Sequence, residues 1–239
     1  MSKRTAVVLA GGLGTRLQSV TGGLIPKALV PVRGVPFLDY KLTSLIEMGV
    51  QRIVLLIGEK GDLIREYVED RWTDRLEISC VADGPNLLGT AGAIASSRRL
   101  LPDSFWVTYA DSYVMANLEE AEDYAIAKGF SGVLTVWHNS DSLELSNTTI
   151  YNGRVLSYTK VTQPGQHEWI DYGLLYLPRD SFDSIDLNAQ TDLGEVVREL
   201  IELRQLGAWE VTDRFWDVGT PETLHLTEVE FGVRPRKCL

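Results

Sequence analysis

Short uninterrupted apolar runs and segments with helical apolar spacing alternate along the first 110 residues of the chain. Continuous runs rich in β-branched residues are typical of buried parallel strands, whereas apolar residues three and four apart indicate a helix packed on one face. The pattern predicts strands at 5–10, 51–57, 77–81 and 105–110 and helices at 37–48, 62–72 and 90–101. Such alternation predicts a doubly wound α/β sheet, in which ligands bind at the carboxyl ends of the strands.

The second half of the chain is less regular. Asn152-Gly153 separates two β-type runs, 148–151 and 155–160, and this dipeptide is the strongest short-range signal of a β-hairpin. The other predicted elements are helices at 118–128 and 192–206 and from Glu222, and strands at 132–137, 169–177 and 208–212. We predict a single domain over 1–239, whose β-rich C-terminal half supplies the second wall of a cleft.

The composition narrows the choice of partners. A net charge of −10 and a pI of about 4.8 make the chain as a whole repel nucleic acids and anionic membranes, so any phosphate site must be local. Cys80 and Cys238 have neither metal-ligand nor disulfide spacing, the first residues do not resemble a signal peptide, and no apolar run is long enough to predict a membrane span. We expect a cytoplasmic protein without nucleic-acid or membrane partners, and a homodimer is left open.

The segment 9–32, LAGGLGTRLQSVTGGLIPKALVPV, places a glycine-rich turn directly after the first predicted strand. Glycines let backbone N–H groups approach phosphate oxygens closely. The P-loop pattern is absent because Thr15-Arg16 follow Gly14, and the dinucleotide pattern is absent because Leu17 replaces its third glycine. Arg16 and Lys27 can converge on one polyphosphate. From these residues alone, a surface turn with solvated cations remains an alternative.

LAGGLGTRL followed by PKALVPVRGVPFLDY resembles the N-terminal signature of the sugar-1-phosphate nucleotidylyltransferases. The resemblance implies their Rossmann-like nucleotide-diphospho-sugar transferase fold, with a mixed, mainly parallel sheet, a nucleotide-binding half at about 1–115 and a sugar-binding half at 116–239. It also implies that Arg16 and Lys27 are catalytic residues that bind a nucleoside triphosphate. The nucleotide-binding residues that it implies in the first turn are Leu9, Ala10, Gly11, Gly12, Gly14 and Thr15.

Two aspartates match the metal ligands of this family. Asp111 follows the predicted strand at 105–110, although Ala110 stands where the family usually has glycine. Asp217 lies in WDVGTP, which resembles the second metal-binding segment. The resemblance implies that Asp111, also a catalytic residue, and Asp217 hold Mg²⁺ or Mn²⁺. From the residues alone, an aspartate after a strand such as Asp111 is more often a turn or helix cap, and Asp217 could simply cap the turn in which it lies.

The segment GPNLLGTAGAIASS resembles the family's nucleoside-binding stretch. Gly89 and Thr90 precede a predicted helix, where backbone amides and a hydroxyl can meet a base or ribose. A tightly packed helix N-terminus is the alternative. Asp83, just before this stretch, is expected to accept hydrogen bonds from the N1–H and amino group of guanine.

The sugar side carries two departures from the family pattern. Lys160 lies where the family has a lysine that binds the phosphate of the sugar, but Thr159 replaces the glutamate that usually precedes it. Asp171 replaces an asparagine in the segment that contacts sugar hydroxyls, with Gly173 after it. A carboxylate only accepts hydrogen bonds, whereas an amide also donates, so Asp171 is expected to alter which sugar fits.

Within the family, the short length, GVPFLDY and LLGTAGAI are most similar to D-glycero-D-manno-heptose 1-phosphate guanylyltransferases and short hexose-1-phosphate enzymes. We therefore expect a transferase that joins a nucleoside triphosphate, preferably GTP, to a heptose- or hexose-1-phosphate and releases pyrophosphate. Two alternatives stay open. One is a uridylyl-, thymidylyl- or cytidylyltransferase, and the other is a non-catalytic nucleotide-sugar sensor.

Overall fold

The structure of the protein is a computed structural model that describes residues 3–12, 14–82, 84 and 88–238. The α-helices are α1 (Gln18–Thr21), α2 (Phe37–Glu47), α3 (Gly61–Arg71), α4 (Gly89–Ser96), α5 (Leu118–Lys128), α6 (Leu193–Glu202) and α7 (Pro221–Val233). The strands are β1 (Thr5–Ala10), β2 (Pro31–Val32), β3 (Val35–Pro36), β4 (Arg52–Ile57), β5 (Glu77–Ala82), β6 (Ser104–Tyr109), β7 (Ser112–Tyr113), β8 (Gly132–His138), β9 (Thr148–Tyr151), β10 (Arg154–Tyr158), β11 (Trp169–Pro178), β12 (Leu206–Val211) and β13 (Trp216–Asp217). Short 3₁₀ helices cover Thr15–Leu17, Lys27–Leu29, Arg98–Leu100 and Arg179–Phe182.

The chain folds into two compact units, and neither is continuous in sequence. The first unit comprises Met1–Asn86, Thr108–Met115 and Phe215–Leu239, and the second comprises Leu87–Val107 and Ala116–Arg214. These limits differ from the predicted division near residue 115. The C-terminal segment belongs to the first unit because β13 pairs with β7 there. The assignment of a nucleotide half and a sugar half stays a prediction.

The first unit is built on parallel strands in the order β5-β4-β1. The apolar runs of β1 and β4 are buried along almost their whole length, as parallel strands covered on both faces require. All three strands end at the same edge, at Ala10, Ile57 and Ala82. Residues that follow these ends are therefore placed where an α/β sheet binds its ligands.

The second unit has a mixed sheet with the strand order β11-β8-β12-β10-β9. The β8–β12 pair is parallel, and the other pairs are antiparallel. The predicted hairpin is confirmed: Asn152 and Gly153 join β9 to β10 with φ angles of 50° and 72°, as a type I′ turn requires. The prediction of an α/β fold with a mixed sheet is confirmed as well.

Two predicted helices are shorter than expected. The helix predicted at 90–101 ends at Ser96, where the hydroxyls of Ser96 and Ser97 donate to helix carbonyls at 2.8 and 2.9 Å, and a 3₁₀ turn follows. The helix predicted at 192–206 ends at Glu202 because Arg204 adopts a left-handed conformation with φ 58°. No helix within the described residues has the length and apolar character needed to cross a membrane.

Candidate functional site

The glycine-rich turn of the first unit begins at the carboxyl end of β1. Gly14 has a φ of 61°, which favours glycine, and its carbonyl accepts a hydrogen bond from the backbone of Leu17 at 3.0 Å. The 3₁₀ helix Thr15–Leu17 follows, with Thr15 and Arg16 exposed and Leu17 buried. The turn therefore presents Arg16 to solvent from a segment that Leu17 anchors in the core.

A second glycine, which the sequence analysis missed, supports this turn. Gly58 follows β4, and a Cβ atom there would lie 2.6 Å from the carbonyl oxygen of Gly11 and 2.7 Å from its Cα. Any side chain at this position would displace the backbone of the turn. The glycine at 58 thus allows the turns after β1 and β4 to pack against each other.

Lys27 and Asp111, predicted from distant parts of the chain, are in direct contact. Lys27 begins the 3₁₀ helix Lys27–Leu29, and its ammonium group donates to Oδ2 of Asp111. The Lys27 side chain is 14% exposed and that of Asp111 is 32% exposed, so the ion pair is only partly open to solvent. This partial burial strengthens their attraction relative to a surface pair.

The two predicted metal acids also lie next to each other. β7 and β13 form a two-stranded antiparallel ladder in which Asp217 pairs with Ser112. The backbone N–H of Val218 donates to the carbonyl of Asp111 at 2.9 Å. Asp111, which directly precedes β7, is therefore joined by its backbone to the residue that follows Asp217.

The carboxylate of Asp217 is held in place from the start of α7. Its Oδ1 accepts hydrogen bonds from the backbone of Gly219 at 2.6 Å and from the Thr223 hydroxyl at 2.8 Å. A Cβ atom on Gly219 would lie 2.7 Å from this oxygen and 3.6 Å from Nζ of Lys27. The ammonium of Lys27 and the two carboxylates thus form one cluster of charges, which we call the acid–lysine cluster.

A hydrophobic cluster in the first unit fixes the elements that carry these charges. Its buried members are Leu17, Val30, Val32, Phe37, Tyr40, Tyr113, Val218, Leu224 and Phe231. Leu17 lies beside Arg16, Tyr113 lies two residues after Asp111, and Val218 follows Asp217. Packing of one apolar group therefore orders segments that are far apart in sequence.

Lys41 is a further charged residue that the sequence analysis missed. It lies on α2, is completely buried and donates to the hydroxyl of Thr108 at 2.7 Å. Burial lowers its pKa to about 7, against the opposing effect of the Asp111 charge. Its helical position among apolar residues reads as part of a core face, so no local signal distinguishes it.

In the second unit, the residues predicted to contact the nucleoside are used in packing. A Cβ atom on Gly89 would collide with the backbone of Thr191, and Gly89 has a φ of 73°. The Thr90 hydroxyl accepts a hydrogen bond from the backbone of Leu193 at 2.7 Å. These contacts join the start of α4 to the start of α6. Asp83, the predicted base-contacting acid, lies outside the described residues.

Lys160 lies two residues after the end of β10, and its ammonium donates to both carboxylate oxygens of Asp192, at 2.8 and 2.7 Å. Asp192 is the N-cap of α6. Sequence reasoning missed this acid, although aspartate before an amphipathic helix followed by Glu195 is the pattern of a capping box. The carboxylate that contacts Lys160 therefore comes from a distant element, whereas Thr159, the residue directly before Lys160 in sequence, has none.

Asp171 lies in β11 close to an irregularity of the sheet. The register of β11 against β8 shifts between Asp171 and Leu175, and Gly173 there has a φ of 81°. The N–H of Gly173 donates to Oδ1 of Asp171 at 2.8 Å. Burial raises the pKa of Asp171 to about 6, against the effects of the hydrogen bonds from Gly173 and Tyr158 and of the Lys160 charge.

The structure thus gathers the predicted residues into two sets. The first unit brings together Lys27, Asp111 and Asp217, and it carries Leu9, Ala10, Gly11, Gly12, Gly14, Thr15 and Arg16 in and after β1. The second unit carries Gly89, Thr90, Lys160, Asp171 and Gly173. Thr90 and Lys160 both contact Asp192. A cleft between the two sets stays a prediction.

A glycine-rich turn at the carboxyl end of a parallel α/β sheet is typical of the class of nucleotide-binding α/β proteins. The chain belongs to the nucleotidyl transferase family, whose model matches residues 5–230. The prediction of a nucleotidylyltransferase is therefore confirmed. Enzymes of this kind generally use a divalent metal.

Relatives and solved structures match this chain over most of its length. The D-glycero-alpha-D-manno-heptose 1-phosphate guanylyltransferase of Campylobacter jejuni is 25% identical over 219 residues, which cover 91% of this chain and 95% of the relative. The mannose-1-phosphate guanylyltransferase catalytic subunit beta of Xenopus tropicalis is 26% identical, and the match covers 91% of this chain and 61% of that protein. The crystal structure of HddC from Yersinia pseudotuberculosis complexed with GMP-PN is 25% identical, has a TM-score of 0.78, and the match covers 95% of this chain and 99% of HddC.

Proposed function

We propose that this chain transfers a guanylyl group from GTP to a heptose- or hexose-1-phosphate, giving a GDP-sugar and pyrophosphate. The acid–lysine cluster beside the glycine-rich turn is the observation that carries the proposal. The Campylobacter jejuni relative is a heptose 1-phosphate guanylyltransferase, and the match covers 95% of it. This relative supports the choice of substrates. The HddC complex with GMP-PN supports a guanine nucleotide.

Asp111 and Asp217 suit a hard divalent cation such as Mg²⁺ or Mn²⁺. Both offer carboxylate oxygens, and Oδ1 of Asp217 is already oriented by Gly219 and Thr223. Within residues 3–12, 14–82, 84 and 88–238, no group of three or more His, Cys, Asp and Glu side chains is placed to hold a metal ion. Two carboxylates are nevertheless enough for Mg²⁺, which keeps several waters and also binds substrate phosphates. When bound, the ion would neutralise charge on the triphosphate.

The other residues would align the reactants and neutralise charge. A phosphate oxygen of the sugar-1-phosphate attacks the α-phosphorus of GTP, and the bond to the departing pyrophosphate breaks. Arg16 would bind the pyrophosphate with its planar fork, and Lys27 would contact the α-phosphate. Lys160 would bind the sugar phosphate and Asp171 the sugar hydroxyls. The reaction needs no covalent enzyme intermediate, because alignment and charge compensation suffice.

The choice of base rests on few contacts, so uridylyl, thymidylyl and cytidylyl transfer are the alternatives to be tested. Pyrophosphate release is measured with each nucleoside triphosphate against a panel of sugar-1-phosphates in the presence of Mg²⁺. Fastest turnover with GTP and a heptose or hexose phosphate is the expected result. Tight nucleotide binding without turnover for any pair would instead identify a sensor. A cytoplasmic location and a homodimer stay predictions.

A further inference from the structure

Asp192 forms an ion pair with the ammonium group of Lys160, the group to which the sugar phosphate is proposed to bind. Two of the three N–H donors of the ammonium group point to the two oxygens of Asp192, at 2.8 and 2.7 Å. Both side chains are about half exposed, at 54% for Lys160 and 44% for Asp192. An anion that approaches Lys160 from solvent therefore meets a carboxylate that already uses the same donors.

Asp192 is the fixed member of this pair. It caps α6, with Oδ1 accepting from the backbone of Gly194 at 2.8 Å, and Thr90 donates to Oδ2 at 3.5 Å. The backbone of the preceding Thr191 is also held, because its N–H donates to Leu88 at 2.9 Å. Lys160, in contrast, reaches Asp192 through a long and flexible side chain. The position of Asp192 is thus set by α6 and α4, independently of Lys160.

The charges around the pair leave Asp192 able to compete with an incoming anion for the ammonium group of Lys160. Partial burial opposes ionisation of Asp192, but the hydrogen bonds from Lys160 and Gly194 outweigh it and lower its pKa. Asp171 adds a second carboxylate within electrostatic range of Lys160. Arg198 adds a cation near the start of α6. Its Nη1 atom lies 3.5 Å from the position that a Cβ atom on Gly194 would occupy. Asp192 is therefore an ionised competitor for Lys160 at neutral pH.

We propose that Asp192 sets the anion selectivity of Lys160, so that a phosphate that carries no sugar binds poorly. A bare phosphate that takes the donors of Lys160 leaves the Asp192 carboxylate with fewer partners. A sugar phosphate replaces them, because its hydroxyls donate to the released carboxylate while its phosphate binds the ammonium. Selectivity then comes from a penalty on the wrong ligand as well as from contacts with the right one. This proposal rests on the assignment of Lys160 under the proposed function.

Inorganic phosphate is the probe, titrated against the full chain without nucleotide or metal and followed by ³¹P NMR. The variant is Asp192→Asn, because asparagine caps a helix about as well as aspartate and so preserves the start of α6. Glu195→Gln is the matched control, since it removes one negative charge from the same helix end without touching Lys160. Lys160→Met and the double variant Asp192→Asn/Lys160→Met show whether any change depends on Lys160.

Asp192→Asn is expected to bind phosphate about two- to fivefold more tightly, the range that a half-exposed ion pair supports. The gain should be absent from Glu195→Gln and from the double variant. Unchanged or weaker phosphate binding in Asp192→Asn overturns the proposal, and so does an equal gain in Glu195→Gln or in the double variant. Because the titration needs no turnover, its failure is distinguishable from failure of the proposed enzymatic activity.

If the chain turns over, the same variants supply a second measurement. Asp192→Asn is expected to lower the inhibition constant of inorganic phosphate while leaving the KM for the sugar-1-phosphate unchanged or raised. A parallel decrease of both constants contradicts selectivity, because it would mean that Asp192 only weakens all anions equally.

Discussion

Asp111 is fixed by its backbone on both sides. The N–H of Ala110 donates to the carbonyl of Leu9 at 3.0 Å, and the carbonyl of Asp111 accepts from Val218 at 2.9 Å. Its carboxylate therefore contacts Lys27 from a backbone position that is fixed on both sides by hydrogen bonds. A substitution that changes only the charge should therefore leave the backbone unaltered.

Asp111→Asn is expected to reduce turnover by about 10²- to 10³-fold, because an amide oxygen binds a divalent cation less strongly and no longer pairs with Lys27. Pyrophosphate release at saturating Mg²⁺ measures the loss, and circular dichroism checks the fold. Asp74→Asn, an exposed site in the same unit, is the control and should retain activity. Near-normal turnover of Asp111→Asn would count against its role as a metal ligand.

Gly58→Ala and Gly12→Ala are expected to differ in stability. The Cβ at residue 58 collides with the backbone of Gly11, whereas nothing lies within 4 Å of a Cβ at residue 12. Gly58→Ala should therefore lower the free energy of unfolding by about 1–3 kcal/mol, and Gly12→Ala should change it by less than about 0.5 kcal/mol. Urea denaturation measures both values, and equal stabilities would show that the turns do not pack as described.

At the scale of elements, the start of α7 has two tasks. Thr220 and Thr223 form a reciprocal capping box, and Pro221 occupies the first turn, where its missing N–H costs nothing. The Thr223 hydroxyl also donates to Asp217 at 2.8 Å. Helix capping and orientation of the Asp217 carboxylate, which we propose as a metal ligand, thus depend on the same side chain.

Thr223→Val is expected to reduce activity about tenfold and to raise the Mg²⁺ concentration needed for half-maximal rate, because partners that orient a metal ligand affect metal affinity by 10- to 100-fold. Thr223→Ser keeps the hydroxyl and should behave like the original chain. A Thr223→Val variant with an unchanged Mg²⁺ requirement would assign this hydroxyl to helix capping alone.

At the scale of the whole molecule, the buried Lys41 makes stability depend on pH. Its pKa is about 7 in the folded chain and 10.5 as an ordinary lysine, so between these values the unfolded chain binds more protons. The contribution of Lys41 to the free energy of unfolding therefore increases as the pH rises from about 7 to 10.5, and it is lowest below pH 7. The charged amine is costly because the group to which it donates, the hydroxyl of Thr108, is neutral.

Lys41→Met is expected to be more stable than the original chain, by on the order of a few kcal/mol below pH 7, with a gain that declines towards pH 10.5. Chemical denaturation at pH 6 and pH 9 measures this difference. Lys128→Met, at the exposed end of α5, is the control and should show no such pH dependence. A pH-independent effect of Lys41→Met would mean that the folded chain keeps this amine fully charged.

Local patterns were enough to predict most strands and helices, because apolar runs such as TAVVLA and a turn such as Asn152-Gly153 carry their own conformational preference. The end of α6 was not predictable, because Arg204 adopts its left-handed conformation without a glycine to signal it. In the candidate site, the motifs around Asp111 and Asp217 were enough to propose both acids. Lys41, Gly58 and Asp192 were not, because each acts through a partner far away in sequence.

The pairing of β13 with β7 has a consequence for biosynthesis. The ribosome releases β7 and the preceding Asp111 long before it makes Trp216–Asp217, so the nascent first unit lacks one acid and the Val218 and Phe231 side chains of its hydrophobic cluster until late in translation. Chains arrested before this point should expose that apolar surface and depend on chaperones, whereas arrest after α7 should not.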